Sequence, residues 1–342
     1  MRTVPLGRDD TISEIMLGTM TFGTQTPEDD AHAQIDMAID AGITWLDTAE
    51  MYPVNPVREE TIGDTETIIG NWIAKGNAGR IRIATKIGGE GGKARGGEAI
   101  TPDSISRALD ASLARLKVDF VDLYQFHWPN RGSYAFRQNW DFSPKGERAA
   151  IVQDLADCVG QLEREIERGR IGAFGPSNDS AWGMDRLIAA AGDGPARPVS
   201  VQNEYSLMCR LADTDLAETM VYEQVTMLAY SPLAAGLLTG KYADGALPEG
   251  SRKAVNGNLG GRWSDHAQDT VDAYVALAAE HGVDPVHMAL AWLQTRPFAC
   301  SAIVGASTSD QLSHALGAAG MTLSDDLVDA IEKMHKAHPM PY

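Results

Sequence analysis

Four side chains of this 342-residue sequence have types that together could protonate a carbonyl oxygen: Asp47, Tyr52, Lys86 and His127. A tyrosine phenol is a weak acid with an ordinary pKa near ~10, and a neighbouring ammonium stabilises the phenolate and lowers that value. Lys86 can supply the charge, Asp47 can pair with the ammonium and hold it in place, and His127 can hydrogen-bond the same reacting oxygen and orient the carbonyl. Such a set donates a proton to a developing alkoxide. Taken singly, each residue has a plainer reading. Asp47 with Glu50 fits a turn cap, and a histidine after an apolar strand is more often a satisfied core side chain. Lys86 fits a solvated strand end and Tyr52 a loop aromatic. Joint placement is what favours chemistry.

That placement follows from the elements. Short β-branched runs alternate with longer helical patterns almost from end to end, which predicts parallel strands joined by crossover helices. Strands are expected at residues 13–18, 43–47, 81–86, 119–127, 170–175, 198–202, 225–231 and 300–305. Helices are expected at 27–41, 64–75, 102–116, 149–168, 181–191, 213–222, 265–281, 285–296 and from about 309. Glu28 and Asp29 suit a first helical turn, Asp64 is expected to cap the second helix, and Thr101 is expected to cap the third with Pro102 at its first position. Eight βα units without a linker or a break in composition favour an α/β fold, a single (β/α)8 TIM barrel over residues 1–342, because closure leaves no sheet edge. Loops that follow the strands of such a barrel gather at one face. Asp47, Lys86 and His127 end the second, third and fourth strands, and Tyr52 lies five residues past Asp47, so all four can converge there. The length beyond a bare barrel of ~250 residues is assigned to loops at 53–63, 128–146 and 232–263 on the same face.

Composition narrows the partners. Hydrophobic residues make up 44% and charged residues 22%, which is ordinary for a globular chain and unlike a disordered one. There are 29 basic against 47 acidic side chains, a formal charge of −18, which argues against nucleic acid and anionic membrane surfaces as partners. Cys158, Cys209 and Cys300 are widely separated and lack metal-ligand spacing, so they read as reduced thiols, and no metal is expected. The first residues, MRTVPLGRDD, lack the apolar stretch of a signal peptide, and no apolar run approaches a membrane span of ~18 residues, so the cytoplasm is the expected compartment.

The sequence resembles the aldo-keto reductase superfamily in several stretches that follow one another in the expected order. They are LGTMTFG (17–23), GITWLDTAEMY (42–52), IATK (83–86), DFVDLYQFHWP (119–129), Ser177-Asn178, Gln202 and AYSPLAAGLLTGKY (229–242). Glu50 to Pro53, Asp64 to Glu66 and Asn71-Trp72 look like the bacterial Tas-like branch, related to the potassium-channel beta subunits. The resemblance implies NADP(H)-dependent reduction of aldehydes or ketones, with a small-molecule carbonyl or alcohol as substrate. It assigns Tyr52 as general acid, Lys86 and Asp47 as tuning groups, and His127 and Trp128 to the substrate. It further implies that Ser177, Asn178 and Gln202 bond the nicotinamide carboxamide and that Tyr230 stacks on the ring. Thr19, Met20 and Asp47 would lie beside the cofactor, and Ser231, Leu233, Gly236, Lys241 and Arg252 would hold the pyrophosphate and its surroundings. Gly305, Ser307 and Gln311 match the segment around the 2′-phosphate, at a helix start suited to an anion. His314-Ala315 replaces a common Glu-Asn, and no basic residue stands at Ala306. A preference for NADP(H) therefore leans on Lys241 and Arg252, and NAD(H) stays open. Pro176 stands where valine commonly precedes the serine, and it lacks a backbone donor. A second functional reading is a cofactor-binding, redox-sensing regulatory subunit with little turnover.

Two further signals are weaker. Residues 89–94 fit G-x-G-x-x-A after a strand, but Arg95, Gly96 and Gly97 follow where a helix must open, so the dinucleotide fingerprint lacks its context. Trp128, Tyr134, Phe136, Trp140 and Phe142 in the 128–146 segment fit either a substrate pocket or the anchoring of a long loop.

Overall fold

The structure, a computed structural model, describes residues 1–54 and 56–342. Asn55, within the loop expected at 53–63, lies outside the described residues. The chain opens with a hairpin, β1 (Thr3–Leu6) and β2 (Asp10–Ser13), and then enters the βα alternation. Its barrel strands are β3 (Ile15–Gly18), β4 (Trp45–Asp47), β5 (Arg82–Ile87), β6 (Val121–Phe126), β7 (Ile171–Pro176), β8 (Ser200–Glu204), β9 (Thr226–Tyr230) and β10 (Cys300–Val304). All neighbours pair in parallel in the order β7-β6-β5-β4-β3-β10-β9-β8. The remaining seam closes where Val199 N donates to Phe174 O (2.9 Å) and Asn178 N to Gln202 O (3.0 Å). The expected (β/α)8 TIM barrel is therefore the fold.

Two apolar layers hold it. Side chains alternate along each strand, so one set fills the barrel and the other meets the helices. Met16, Trp45, Ala84, Leu123, Leu228 and Ile303 pack inside, and Leu6 and Ile12 of the hairpin join the same cluster, closing the floor of the barrel. Thr226 Oγ1 fixes the hairpin by donating to Pro5 O (2.9 Å) and accepting from Gly7 N (3.1 Å). The outer cluster buries the inward stripes of the helices, among them Ile35, Ile69, Leu109, Leu162, Leu187 and Trp292.

The helices are α1 (Glu28–Asp40), α2 (Asp64–Trp72), α3 (Pro102–Leu116), α4 (Arg148–Glu167), α5 (Ala181–Ala191), α6 (Asp215–Glu223), α7 (Arg252–Val255), α8 (Asp265–Glu280), α9 (Pro285–Trp292), α10 (Ser309–Leu316) and α11 (Asp325–Ala337). Thr101 caps α3 as expected, in a reciprocal box with Ser104. Asp64 does not cap α2. It is the first helical residue, and the preceding Gly63 takes the cap position at φ 88°, a left-handed conformation that glycine adopts without strain. Helix α2 ends at Trp72 and passes into a π turn, and α9 tightens into a 3-10 turn after Trp292, which shortens both against the expected spans. Among the described residues no helix is long and apolar enough to cross a membrane.

Candidate active site

Strand ends bring the four chemical residues together. Asp47 is the last residue of β4, Lys86 the penultimate residue of β5, and His127 follows β6, tied to β5 by its N–H donating to Ile87 O (2.9 Å). Tyr52 is held by two anchors: its N–H donates to Ala49 O (3.1 Å), and its carbonyl accepts from Gly63 N (3.1 Å). All four are buried.

Lys86 Nζ donates to Asp47 Oδ2 (2.6 Å) and to Thr48 O (2.7 Å), and it sits 4.9 Å from the centre of the Tyr52 ring. The rings of Tyr52 and His127 meet edge to face at 5.7 Å, and Trp128 lies against His127 at 4.9 Å. Burial pulls the Lys86 ammonium below its usual range, with the Asp47 carboxylate opposing that pull. Burial, with the Lys86 charge as a second cause, holds His127 neutral, well below the usual histidine value. Its Nδ1 is buried without a hydrogen-bond partner among the described residues.

The phenol differs from the sequence expectation. Tyr52 is pushed well above its ordinary range, first by burial, then by the charge of Asp47 and the neighbourhood of Tyr230, with Arg252 opposing. The ammonium expected to lower it is already paired with Asp47, and desolvation of a phenolate outweighs what remains. The site therefore keeps the phenol protonated, the state an acid needs.

Two glutamines complete the floor of the site. Gln202 Nε2 donates to Asp47 Oδ1 (2.8 Å) and lies 3.0 Å from Gln125 Oε1, while Gln125 Nε2 lies 3.3 Å from Asp47 Oδ1. The Asp47 carboxylate is thus held on both oxygens. Gln125 is absent from the sequence reading, although strand alternation offered a signal: it sits two residues before His127, on the same face.

The expected cofactor residues line the same end of the barrel. Thr19 Oγ1 donates to Asp47 O (2.8 Å), and Met20 follows it. Asn178, at φ 54°, donates through Nδ2 to His127 O (2.8 Å) and accepts from the Tyr230 hydroxyl at 2.7 Å, and Ser177 Oγ donates to Gln202 O (2.7 Å). Pro176 ends β7, and the next donor, Ser177 N, still reaches Phe126 O (2.7 Å), so the missing N–H leaves the local geometry intact. Past β9 the backbone passes through left-handed conformations at Ser231, Ala234, Ala235 and Gly236. Gly236 lies beside Lys241, whose Nζ would be 3.0 Å from a Cβ at that position. Leu233 packs on the core. Arg252 is half-buried and its guanidinium is lowered to about 10, by desolvation first and then by the charge of Arg262. Gly305 follows β10, where its N is within close reach of Gly18. Ser307 donates to Gln311 Oε1 through both N (3.1 Å) and Oγ (3.0 Å), so these two residues are engaged with one another.

Two glycines of the 89–97 run, Gly89 and Gly92, make room for Trp128. A Cβ on Gly89 would fall 2.3 Å from Trp128 O, and one on Gly92 would fall 2.7 Å from the indole, whose Nε1 donates to Glu90 O (3.1 Å). Within 128–146, Tyr134 is anchored through its hydroxyl to Asp179 O (3.3 Å), whereas Trp140 is 65% exposed and does not pack down. The three cysteines are free thiols, all buried.

The arrangement is a buried phenol, a charge-paired lysine and a neutral imidazole at the mouth of a barrel, suited to proton transfer beside a reacting oxygen. The chain is similar to known proteins along nearly its whole length. A model of the aldo/keto reductase family matches residues 14–336. Protein tas of Escherichia coli (strain K12) is 41% identical over 341 residues, covering 96% of each chain. A probable voltage-gated potassium channel subunit beta of Oryza sativa subsp. japonica is 28% identical over 343 residues, 96% of this chain and 94% of that one. Among solved structures, a glycerol dehydrogenase from Gluconobacter oxydans superposes with a TM-score of 0.74 at 24% identity, over 99% of this chain and 96% of the other. The extent of these matches, together with a barrel that gathers Asp47, Tyr52, Lys86 and His127 at one mouth, makes the chain a member of the aldo/keto reductase family, in its Tas-like branch.

Proposed function

We propose that this oxidoreductase reduces small aldehydes or ketones to alcohols with NADP(H). The observation that carries the reading is the pairing of a protonated, buried Tyr52 with a neutral His127 whose Nδ1 is unpartnered. When bound, the nicotinamide supplies the hydride. Tyr52 gives its proton to the oxygen that gains charge, and the Lys86 ammonium beneath the ring stabilises the phenolate left behind. Asp47 holds that ammonium in place, itself fixed by Gln202. His127 orients the carbonyl, and Trp128 forms the adjoining wall.

The residues present suit a dinucleotide. Ser177, Asn178 and Gln202 offer an amide-and-hydroxyl set for the carboxamide, with the Tyr230 ring beside it. The left-handed turns at residues 231–236, with Lys241 beside Gly236 and Arg252 close to Tyr52, make a cationic stretch suited to a pyrophosphate. Thr308 caps α10 beside Ser307 and Gln311, at the proposed adenosine end.

Replacing Tyr52 by Phe removes the proton and keeps the ring. The expected outcome is loss of carbonyl reduction by about a thousandfold or more, with NADPH binding retained; unchanged turnover would overturn the assignment. A carbonyl panel run with NADPH and NADH side by side reads the cofactor choice. The likeness to a channel subunit favours a second reading, a redox-sensing subunit, which gains if NADPH binds tightly and no carbonyl in the panel turns over.

A further inference from the structure

One cluster of titratable side chains lies outside the proposed reaction site. Asp284, His287 and His314 stand where the start of α9 meets the end of α10, and one ligating atom from each lies within 4.8 Å of the others. No other three histidine, cysteine, aspartate or glutamate side chains gather so closely among the described residues. Asp284 caps α9: its Oδ1 accepts from Val286 N (2.8 Å) and His287 N (3.1 Å), which leaves Oδ2 to face His314 Nε2 at 3.0 Å. His287 Nε2 donates to His314 O (2.7 Å), so a neutral His287 ring keeps its lone pair on Nδ1. A Cβ on Gly317 would fall 2.6 Å from that Nε2, which places the ring directly on the end of α10. The His314 side chain is 52% exposed and that of Asp284 34%, so an ion has a path in from solvent.

We propose that these three side chains bind a divalent transition-metal ion of the zinc class and that the ion ties α9 to α10. Chemistry selects the class: two imidazoles and one carboxylate suit zinc, nickel or copper, whereas calcium and magnesium take oxygen ligands. Ligands ~2.0–2.1 Å from one tetrahedral ion stand roughly 3.3 Å apart, so His314 Nε2 and Asp284 Oδ2 already have about the spacing of a shared ion. Entry of the ion moves the His314 proton from Nε2 to Nδ1, and water fills the fourth position. Two of the three ligands are oriented beforehand, Asp284 by the amides of α9 and His287 by the His314 carbonyl, the outer support that ligating side chains use. An ordinary carboxylate–imidazole pair accounts for Asp284 and His314 but gives His287 no part. The expectation of no metal rested on cysteine spacing, and this set is hidden from such spacing because His314 lies 30 residues from Asp284, on another helix. The site does not depend on the NADP(H) reading.

Calorimetric titration of the full, reduced chain with Zn²⁺ tests it, beside Asp284→Asn, His287→Gln, His314→Gln and, as a control outside the cluster, His281→Gln. The site predicts one equivalent bound with a Kd below ~10 μM, weakened about tenfold or more in each of the three cluster variants and unchanged in the control. Asparagine keeps the helix cap, so weaker binding in Asp284→Asn reports the lost ligand and not a frayed α9. Co²⁺ should give visible d–d absorption without a thiolate charge-transfer band, and excess Mg²⁺ should not compete. Wild-type affinity in any one of the three cluster variants, a wild-type Kd above ~10 μM, or a thiolate band overturns the proposal. Circular dichroism at the assay temperature confirms that each variant is folded.

Discussion

A buried histidine and a buried tyrosine at the proposed oxygen-binding point differ in what their protonation states would let them do. Burial favours the neutral form of each, so Tyr52 retains its proton and His127 has none to spare. For His127 this has a pH consequence. Its folded value is depressed, so the unfolded chain binds a proton that the folded one refuses at any pH between the depressed value and the ordinary ~6.5. The stability associated with neutral His127 is fully present above ~6.5 and falls as pH drops below it, by up to ~1.4 kcal/mol per pH unit. Chemical unfolding of wild type and His127→Gln from pH 7.5 down to 5 checks this: the wild type should lose stability more steeply, and parallel slopes would refute the buried neutral imidazole. Of the site, the four chemical residues were legible because each sits at a strand end or a few residues past one, where type and position both speak. Gln125 was not, nor was the grouping of Asp284, His287 and His314, since their meaning comes from partners on other strands and helices. A lone His at position 314 reads as any solvated side chain until Asp284 is seen to meet it.

At the level of elements, one glycine sets how closely two helices approach. Gly70 lies in α2 against the end of α3, where an added Cβ would fall 2.1 Å from Arg115 O, a backbone atom with nowhere to go. Alanine raises intrinsic helix stability by about 1 kcal/mol over glycine, but overpacking here costs about 1–3 kcal/mol or more. The clash wins, so Gly70→Ala should lower the unfolding midpoint; a higher midpoint would show that α2 can shift at little cost. The contact is supported by Glu66 of α2, which accepts from Thr85 Oγ1 (2.5 Å) of β5 and from Arg115 Nε (2.7 Å) of α3. All eight barrel strands were legible, because each is a short run, most of them containing β-branched residues, between helical patterns. The hairpin β1–β2 was not: its two strands have four residues each, one contains Pro5, and the turn residues Arg8-Asp9 sit among charges, so no period emerges. Helix α11 also went unread beyond the pattern starting near residue 309, although its apolar stripe through Leu327 and Ile331 is buried.

For the whole molecule the balance of charge frames any anionic ligand. A chain of net charge −18 repels a dinucleotide at long range, while attraction at the proposed site depends on a few cations within a Debye length of ~8–10 Å. Lys241 and Arg252 are those cations in the proposed site, so neutralising both to Met should weaken NADPH affinity by about a hundredfold, read by fluorescence titration. Little change would refute the charge argument. The long loop that carries these residues, at 232–263, stands with the 128–146 loop at one end of the barrel, and the hairpin seals the other. That floor has an implication for how the chain is made. Leu6 and Ile12 pack with Leu228 and Ile303, Thr226 bonds Pro5 and Gly7, and Ser301 Oγ donates to Ser13 O (2.7 Å). These hydrogen bonds join residues 219, 221 and 288 positions apart in the chain. Contacts of such separation close long loops, a slow kind of step, so the floor is where the barrel locks late in assembly.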